Sequence, residues 1–488
     1  MKLLVRADAS PRMGTGHVMR CLSLVQGLRP SDGPVMLVAA EITAALEPRL
    51  RSAGVGLTRL SAEAGGSKDA ERTVKIAQEI NASWIVVDGY QFGADYQRRL
   101  KDAGFRVLFL DDYGHAQKYS ADLVLNQNLH ATADYYVQRD AGTRMLLGTR
   151  HTLLRQEFQA LKDWQRNIPT HASKVLVTLG GADPDNVTGD IVKALGTLAG
   201  VETVVVVGGS NPHLPGLRTL IENSPTTIRL VVDAQNMPEL MQQADVTVAA
   251  GGTTSWELAF MGLPTLMLVL ADNQRTVAEG LSAAQVVRKT TPETVAQNLA
   301  ELLADATARR AMSERGRQLV DGLGVSRVLT AMRAGELTVR RVQLDDCRQI
   351  WEWSNDPEVR KVSLSQDDIP WESHVKWFSA RVNSPTCFFY VGSDHDTPVG
   401  QIRFDLTNTE ATLSISLSRK ARGHGYGPAL IVRGSQQLFT DSNATLIRAY
   451  VNPENTASLR AFEKAGYAPA ETTLIQGKSL RQFVLERN

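Results

Sequence analysis

RADASPRMGTGHVMR, residues 6–20, is the stretch from which the rest of this chain can be read. An apolar run over residues 2–5 enters a loop holding Gly14 and Gly16, and His17 stands where the next helix should begin. Glycines let backbone amides approach a phosphate closely, and a helix N-terminus presents unpaired N–H groups at the positive end of its dipole. That dipole disfavours a second positive charge, so a histidine in this place is expected to be neutral at working pH. The stretch therefore predicts an anionic leaving group held beside a general base. It is not a dinucleotide fingerprint, because His17-Val18-Met19 follow Gly16 and no third glycine closes the pattern. Nor is it a P-loop, since no Gly-Lys-Ser/Thr follows.

Outward from this loop, short apolar strands alternate with amphipathic helices. Strands are expected at 34–40, 84–88, 106–110 and 122–125, with helices at 69–80 and 94–103. Such alternation implies right-handed crossovers and a parallel sheet. A polar segment, 156–172, precedes a second series with strands at 174–179, 203–207, 228–231, 246–249 and 265–269, closed by helical sequence over 291–320. Two doubly wound units predict a two-lobed α/β protein whose ligand lies in the cleft, at the carboxyl ends of strands. The pattern changes near 322–336. Strands at 337–339, 386–391, 398–404, 411–417, 446–451, 468–475 and 478–485 then surround helices at 344–355, 371–382 and 428–439, which reads as a separate α+β domain. The expected divisions are 1–155, 156–333 and 334–488.

Composition narrows the classes. Of 488 residues, 43% are hydrophobic and 22% charged, an ordinary balance for a soluble globular protein. A net charge of +1 gives no reason to expect nucleic acid or an acidic membrane as partner. Cys21, Cys347 and Cys387 match no metal or redox spacing, and their number suits a reducing cytoplasm. No apolar run reaches the ~20 residues of a membrane span. The strand pattern begins at once, so no signal peptide is expected and the protein is read as cytoplasmic.

Three further loops should converge on the cleft: Asp88-Gly89-Tyr90, Gly251-Gly252-Thr253-Thr254-Ser255-Trp256-Glu257, and Leu270-Ala271-Asp272-Asn273-Gln274. The second is a strand-to-helix turn that would bind a diphosphate through its amides, with Thr253, Thr254 and Ser255 as caps. The 6–20 motif, with these loops, resembles the UDP-sugar hydrolases of pseudaminic acid biosynthesis over about residues 1–333. The resemblance implies the two-lobed GT-B fold of Rossmann-like lobes. It also implies metal-free attack of water on the anomeric carbon of UDP-2,4-diacetamido-2,4,6-trideoxy-β-L-altropyranose. It makes His17 the base and Asp8, Gly14, Gly16, Arg20, Tyr90, Gly252, Thr253, Thr254, Glu257 and Asn273 the substrate-binding residues. Within that set Glu257 is read as either a sugar contact or a uridine-ribose contact, and Asp8 as a support of the His17 loop.

The last domain carries Arg422-Gly423-His424-Gly425-Tyr426-Gly427 between a strand and a helix, then Val451-Asn452-Pro453-Glu454-Asn455-Thr456-Ala457-Ser458. An arginine and free amides at a helix start make a pyrophosphate cradle. This is similar to the acetyl-CoA loop of GNAT N-acetyltransferases over about 337–488. The resemblance implies acetyl transfer to an amine, with Leu417, Arg422, Gly423, Gly425, Gly427, Asn455 and Ser458 at acetyl-CoA. Phe462 stands where many of these enzymes have a tyrosine that protonates the leaving thiolate, so the general acid is open: Tyr467 or water takes that role, or the thiolate leaves unassisted. Trp353, Asn355, Arg360, His374 and Trp377 lie where the acceptor should enter. Together the halves predict a bifunctional enzyme that acetylates a UDP-linked amino sugar and then removes UDP; the alternatives are a GT-B glycosyltransferase or a non-catalytic nucleotide-sugar sensor, fused to a protein-amine acetyltransferase.

Overall fold

The computed structural model describes residues 1–10, 13–180, 183–209, 211–363 and 365–487, and of Asn273 the backbone alone. The chain divides into two compact units, Met1–Val325 and Ser326–Asn488. The division falls inside the helix Gly324–Glu336, in the segment where the sequence pattern changes.

The first unit holds two parallel sheets. β1 (Leu3–Ala7), β2 (Val35–Ala39), β3 (Val55–Arg59), β4 (Trp84–Asp88), β5 (Arg106–Leu110), β6 (Leu123–Asn126) and β7 (Arg144–Leu147) lie in the order β3-β2-β1-β4-β5-β6-β7. β8 (Lys174–Thr178), β9 (Glu202–Val207), β10 (Ile228–Val232), β11 (Val246–Ala250), β12 (Thr265–Leu268) and β13 (Val287–Lys289) follow in the order β10-β9-β8-β11-β12-β13. Both are doubly wound, and their strand order reverses between β1 and β4 and between β8 and β11, where loops part and leave a crevice. β1 and β4 are buried at every position, as strands covered by helices on both faces must be.

Arg6 lies wholly buried in β1. Its guanidinium meets Asp69 at 2.7 Å and Asp8 at 2.7 Å and lies over the Phe92 ring. Asp69 also accepts from Tyr96, Thr73 and the Gly65 amide, which ties the helix Ser67–Glu79 to the sheet through a fully partnered ionic cluster. The polar segment 156–172 is not a free linker. Phe158 is fully buried in the core of the second sheet, and Arg166 donates to the carbonyls of Met261, Ala244 and Met241. Burial without a carboxylate in contact pushes that guanidinium down to about 10.

The second unit is one mixed sheet. β14 (Leu337–Arg341), β15 (Cys387–Asp394), β16 (Thr397–Thr407), β17 (Glu410–Leu417), β18 (Leu446–Val451), β19 (Ala468–Pro469), β20 (Thr473–Ile475) and β21 (Lys478–Glu486) run β14-β15-β16-β17-β18-β21-β19, with β20 paired to β21. The helix Tyr426–Asp441 packs its apolar face into the main core with Ile402, Phe404, Ile447 and Phe462. No helix among the described residues is long and apolar enough to cross a membrane.

Candidate functional site

Gly14 has φ +80°, a left-handed value that a side chain would strain, and its amide closes a turn onto the Ser10 carbonyl. The helix Gly16–Gln26 then starts at Thr15, whose side chain does not cap it. The first-turn amides are left for a ligand. His17 follows, with the residue 8% exposed, and its Nδ1 lies 2.7 Å from Asp88 Oδ1. Asp88 ends β4, across the reversal point from β1. Burial alone would raise its carboxyl, but Arg20 and His17 outweigh that and hold it below the usual carboxylate range. An ionised carboxylate only accepts, so His17 Nδ1 carries the hydrogen and, in the neutral ring, Nε2 carries the lone pair.

A chain of ion pairs fixes this arrangement. Arg20 donates to Asp88 through Nε (2.5 Å) and Nη2 (2.6 Å), and to Asp112 through Nη1 (2.7 Å). Asp112 also accepts from Tyr90 OH (2.9 Å) and Asn128 Nδ2 (2.9 Å), and despite burial it is held far below the ordinary range by Arg20. Tyr90 stands edge-on to the His17 ring with centroids 5.0 Å apart. Burial and Asp112 push its phenol up, so it is a neutral donor already committed to Asp112.

The sequence placed Asp88 in a cleft loop without giving it a role, and it did not point to Asp112 or Asn128. The available signal was an acid at, or just after, the carboxyl end of a buried parallel strand, which Asp88 and Asp112 share. Asp8 accepts from Arg6, Gln91 and the amides of Ala40 and Glu41. Among the described residues it holds the chain after β2, and no hydrogen bond joins it to the His17 loop.

The second lobe brings its loop to the first. A methyl group on Gly16 would lie 3.8 Å from Thr253 Cγ2. Thr253 starts the helix Thr254–Phe260, but no side chain caps it, and the Ser255 hydroxyl is buried without a partner. The expected side-chain caps are therefore absent; the Gly251, Gly252, Ser255 and Trp256 amides instead donate to neighbouring backbone carbonyls. Gly251 packs against Gln274, whose side chain binds the Leu270 amide, so the 251–257 and 270–274 loops adjoin. The side chain of Asn273 lies outside the described residues. Glu257 is engaged: both its oxygens accept from Arg155, at 2.8 and 3.1 Å. Burial pushes its carboxyl up and Arg155 draws it back.

In the second unit, β17 and β18 pair only over Glu410–Thr412 and Leu446–Arg448, then diverge toward Leu417 and Val451. The helix Tyr426–Asp441 begins beside the end of β17, Gly427 lying against Leu417. Gly423 and Gly425 have φ +75°, and no side chain caps this helix. An uncapped helix start thus lies beside a splayed strand pair. Arg422 is not free as expected, because it pairs with Asp356 and Glu358, each at 2.8 Å, and donates to the Leu417 carbonyl. Asn455 caps the helix Thr456–Lys464 by accepting from the Ser458 amide. Tyr467 is 1% exposed with its hydroxyl 2.8 Å from Ser435 Oγ, inside the core, so it is no substitute acid in this geometry. Trp353 is core and Asn355 pins Ile369, whereas Arg360, His374 and Trp377 line a cavity.

Known proteins share these parts. Residues 336–468 match the acetyltransferase (GNAT) domain model, and residues 191–322 match the glycosyltransferase family 28 C-terminal domain model. The two matches cover separate parts of the chain, one in each compact unit. An uncharacterized protein of Methanocaldococcus jannaschii is 21% identical, covering 84% of each chain. The spore coat polysaccharide biosynthesis protein SpsG of Bacillus subtilis is 24% identical over 68% of this chain and 98% of its own. The UDP-2,4-diacetamido-2,4,6-trideoxy-beta-L-altropyranose hydrolase of Campylobacter jejuni is 23% identical over 58% of this chain and 96% of its own. Among solved structures, an aminoglycoside acetyltransferase AAC(6')-Ib in complex with coenzyme A is 18% identical, covers 31% of this chain and 95% of its own, and has a TM-score of 0.29.

Proposed function

We propose that this chain performs two consecutive steps on UDP-linked diamino trideoxy sugars in pseudaminic, or a related nonulosonic, acid synthesis. In the second unit the 4-amino group of the UDP-amino sugar attacks the acetyl-CoA carbonyl. The N–C bond forms, the C–S bond breaks, and the amine's proton leaves with CoA as the free thiol. In the first unit water attacks the anomeric carbon of UDP-2,4-diacetamido-2,4,6-trideoxy-β-L-altropyranose without a metal. His17 Nε2 takes the water proton as the C–O bond to UDP breaks. UDP leaves well once its charge is stabilised, so the first-turn amides after Thr15 and the dipole of that helix supply the electrostatic part.

The observation that supports the hydrolytic reading most is the His17–Asp88 pair at 2.7 Å, which leaves the Nε2 lone pair available in the first turn of a helix that no side chain caps. The similarity to the Campylobacter hydrolase supports the choice of sugar. Both co-substrates are cytoplasmic metabolites, which favours a cytoplasmic enzyme.

The test is UDP release from the diacetamido sugar nucleotide in ¹⁸O water, with no sugar acceptor present. The label should enter the sugar at C1 and not UDP, and His17→Ala should lose the activity. Label in UDP, or equal turnover by wild type and His17→Ala, would refute the mechanism. A requirement for a second sugar would favour the glycosyltransferase reading, which the match at 191–322 also fits. Incubation with acetyl-CoA and the UDP-4-amino sugar, followed by NMR, tests the first step.

A further inference from the structure

A cavity of about 430 Å³ opens in the second unit between the helices Pro357–Val362 and Trp371–Val382 and the strands β16 and β17. Its wall includes Arg360, His374, Trp377, Gln401, Arg403 and Ser416, and no carboxylate lines it among the described residues. Among the described residues, two of its polar atoms lack protein partners. Gln401 is 7% exposed and donates from Nε2 to Ser416 Oγ at 3.0 Å, leaving Oε1 buried and unpaired. Arg360 donates from Nη2 to the Ser365 carbonyl, while its Nε is buried with no acceptor. Arg403 is different: it pairs with Asp405 at 3.1 Å and lies over the Trp377 ring at 4.9 Å from its centroid. His374 is buried, its Nε2 lies 3.2 Å from the Cys347 carbonyl, and burial pushes it down, so the ring is neutral.

Register places this cavity beside the splayed strands. Gln401 and Ser416 are cross-strand partners, and the next pair, Gly400 and Leu417, abuts the glycine-rich helix start. A nitrogen accepted by Gln401 Oε1 would therefore lie one register step from the end of β17. The cavity's charge decides what carries that nitrogen. A polyamine or another multiply cationic acceptor would meet the Arg360 guanidinium and no lining carboxylate among the described residues, and the Asp405 carboxylate is already engaged by Arg403. An acceptor carrying phosphate instead supplies what the Arg360 guanidinium lacks.

We infer that this cavity selects a phosphate- or diphosphate-bearing amine, with Arg360 holding the anion and Gln401 Oε1 accepting from the amine. The inference rests on the acetyltransferase reading and adds to it the residues that set acceptor class. Removing one charge-assisted contact weakens binding by roughly 10- to 100-fold.

The test uses the full chain with acetyl-CoA, following thiol release. Four amines are compared: a UDP-linked 4-amino sugar, the same sugar as a neutral methyl glycoside, spermidine and a peptide. Wild type should favour the UDP-linked amine. Arg360→Gln should raise its KM by that factor, leaving kcat and the KM for acetyl-CoA within threefold and the methyl glycoside unaffected. Gln401→Leu should lower kcat/KM for both amino sugars. Preference for spermidine, the peptide or the neutral glycoside would overturn the inference while the acetyltransferase reading stands. So would an equal effect of Arg360→Gln on both sugars. Transfer to none of the four amines would remove both.

Discussion

Replacing Asp88 by asparagine isolates what the buried carboxylate does for His17. The side chain keeps its volume but loses its charge, and an amide NH₂ can now donate to His17 Nδ1. That interaction favours the opposite tautomer, with the hydrogen on Nε2, and a protonated Nε2 cannot accept from water. General-base catalysis is worth about 10²–10⁴ in rate, so kcat for UDP release should fall by roughly that factor while KM changes little. Stability falls as well, because Asp88 is fully buried and Arg20 donates to it twice. Breaking a buried ion pair costs about 3–5 kcal/mol. Arg20 keeps Asp112 at 2.7 Å, so the loss should lie toward the low end. The assay is steady-state UDP release by the purified variant, beside a thermal melt and the binding of UDP measured by calorimetry. A folded Asp88→Asn protein that binds UDP and turns over within threefold of wild type would refute the tautomer argument, whatever His17→Ala does.

Three further outcomes follow from the same geometry. Asp69 is held below its ordinary range, since Arg6 and its other donors outweigh burial. A depressed carboxylate stabilises the fold above its unfolded value of about 4, and that contribution is lost as pH falls through the folded value. The urea midpoint of the first unit should therefore be level from pH 7 to 5 and drop below pH 4, and Asp69→Asn should lower the pH 7 value and flatten the slope. Tyr467→Phe removes only the contact with Ser435, so acetyl transfer should stay within twofold while stability falls by about 1 kcal/mol; a hundredfold loss of kcat would restore the tyrosine as the acid. Cys21 and Cys387 are buried, and burial pushes the Cys387 thiol up to about 11. A thiol-exchange reagent at pH 8 should titrate no more than Cys347 in the native chain and all three cysteines after denaturation.

The sequence alone determined the layered plan. Strands such as Trp84–Asp88 and Leu446–Val451 are legible because burial on both faces, or alternation across one, leaves a local record in side-chain pattern. The short strands Val55–Arg59, Arg144–Leu147 and Val287–Lys289 were not singled out. Each lies at the edge of its sheet and is part-exposed, so its apolar pattern is weak. The His17 loop was legible for the same local reason: glycine, histidine and helix start adjoin in the chain.

What only the tertiary structure decided is which charges meet. His17 finds Asp88 across 71 residues, Arg155 takes Glu257 across 102, and Arg422 takes Asp356 across 66. Tyr467 likewise proves to be core only when Ser435 is seen against it. Electrostatic pairing acts through space, and a carboxylate looks alike in sequence whether it is solvated, captured or orienting a base. Burial and distance assign those roles, and the chain order records neither.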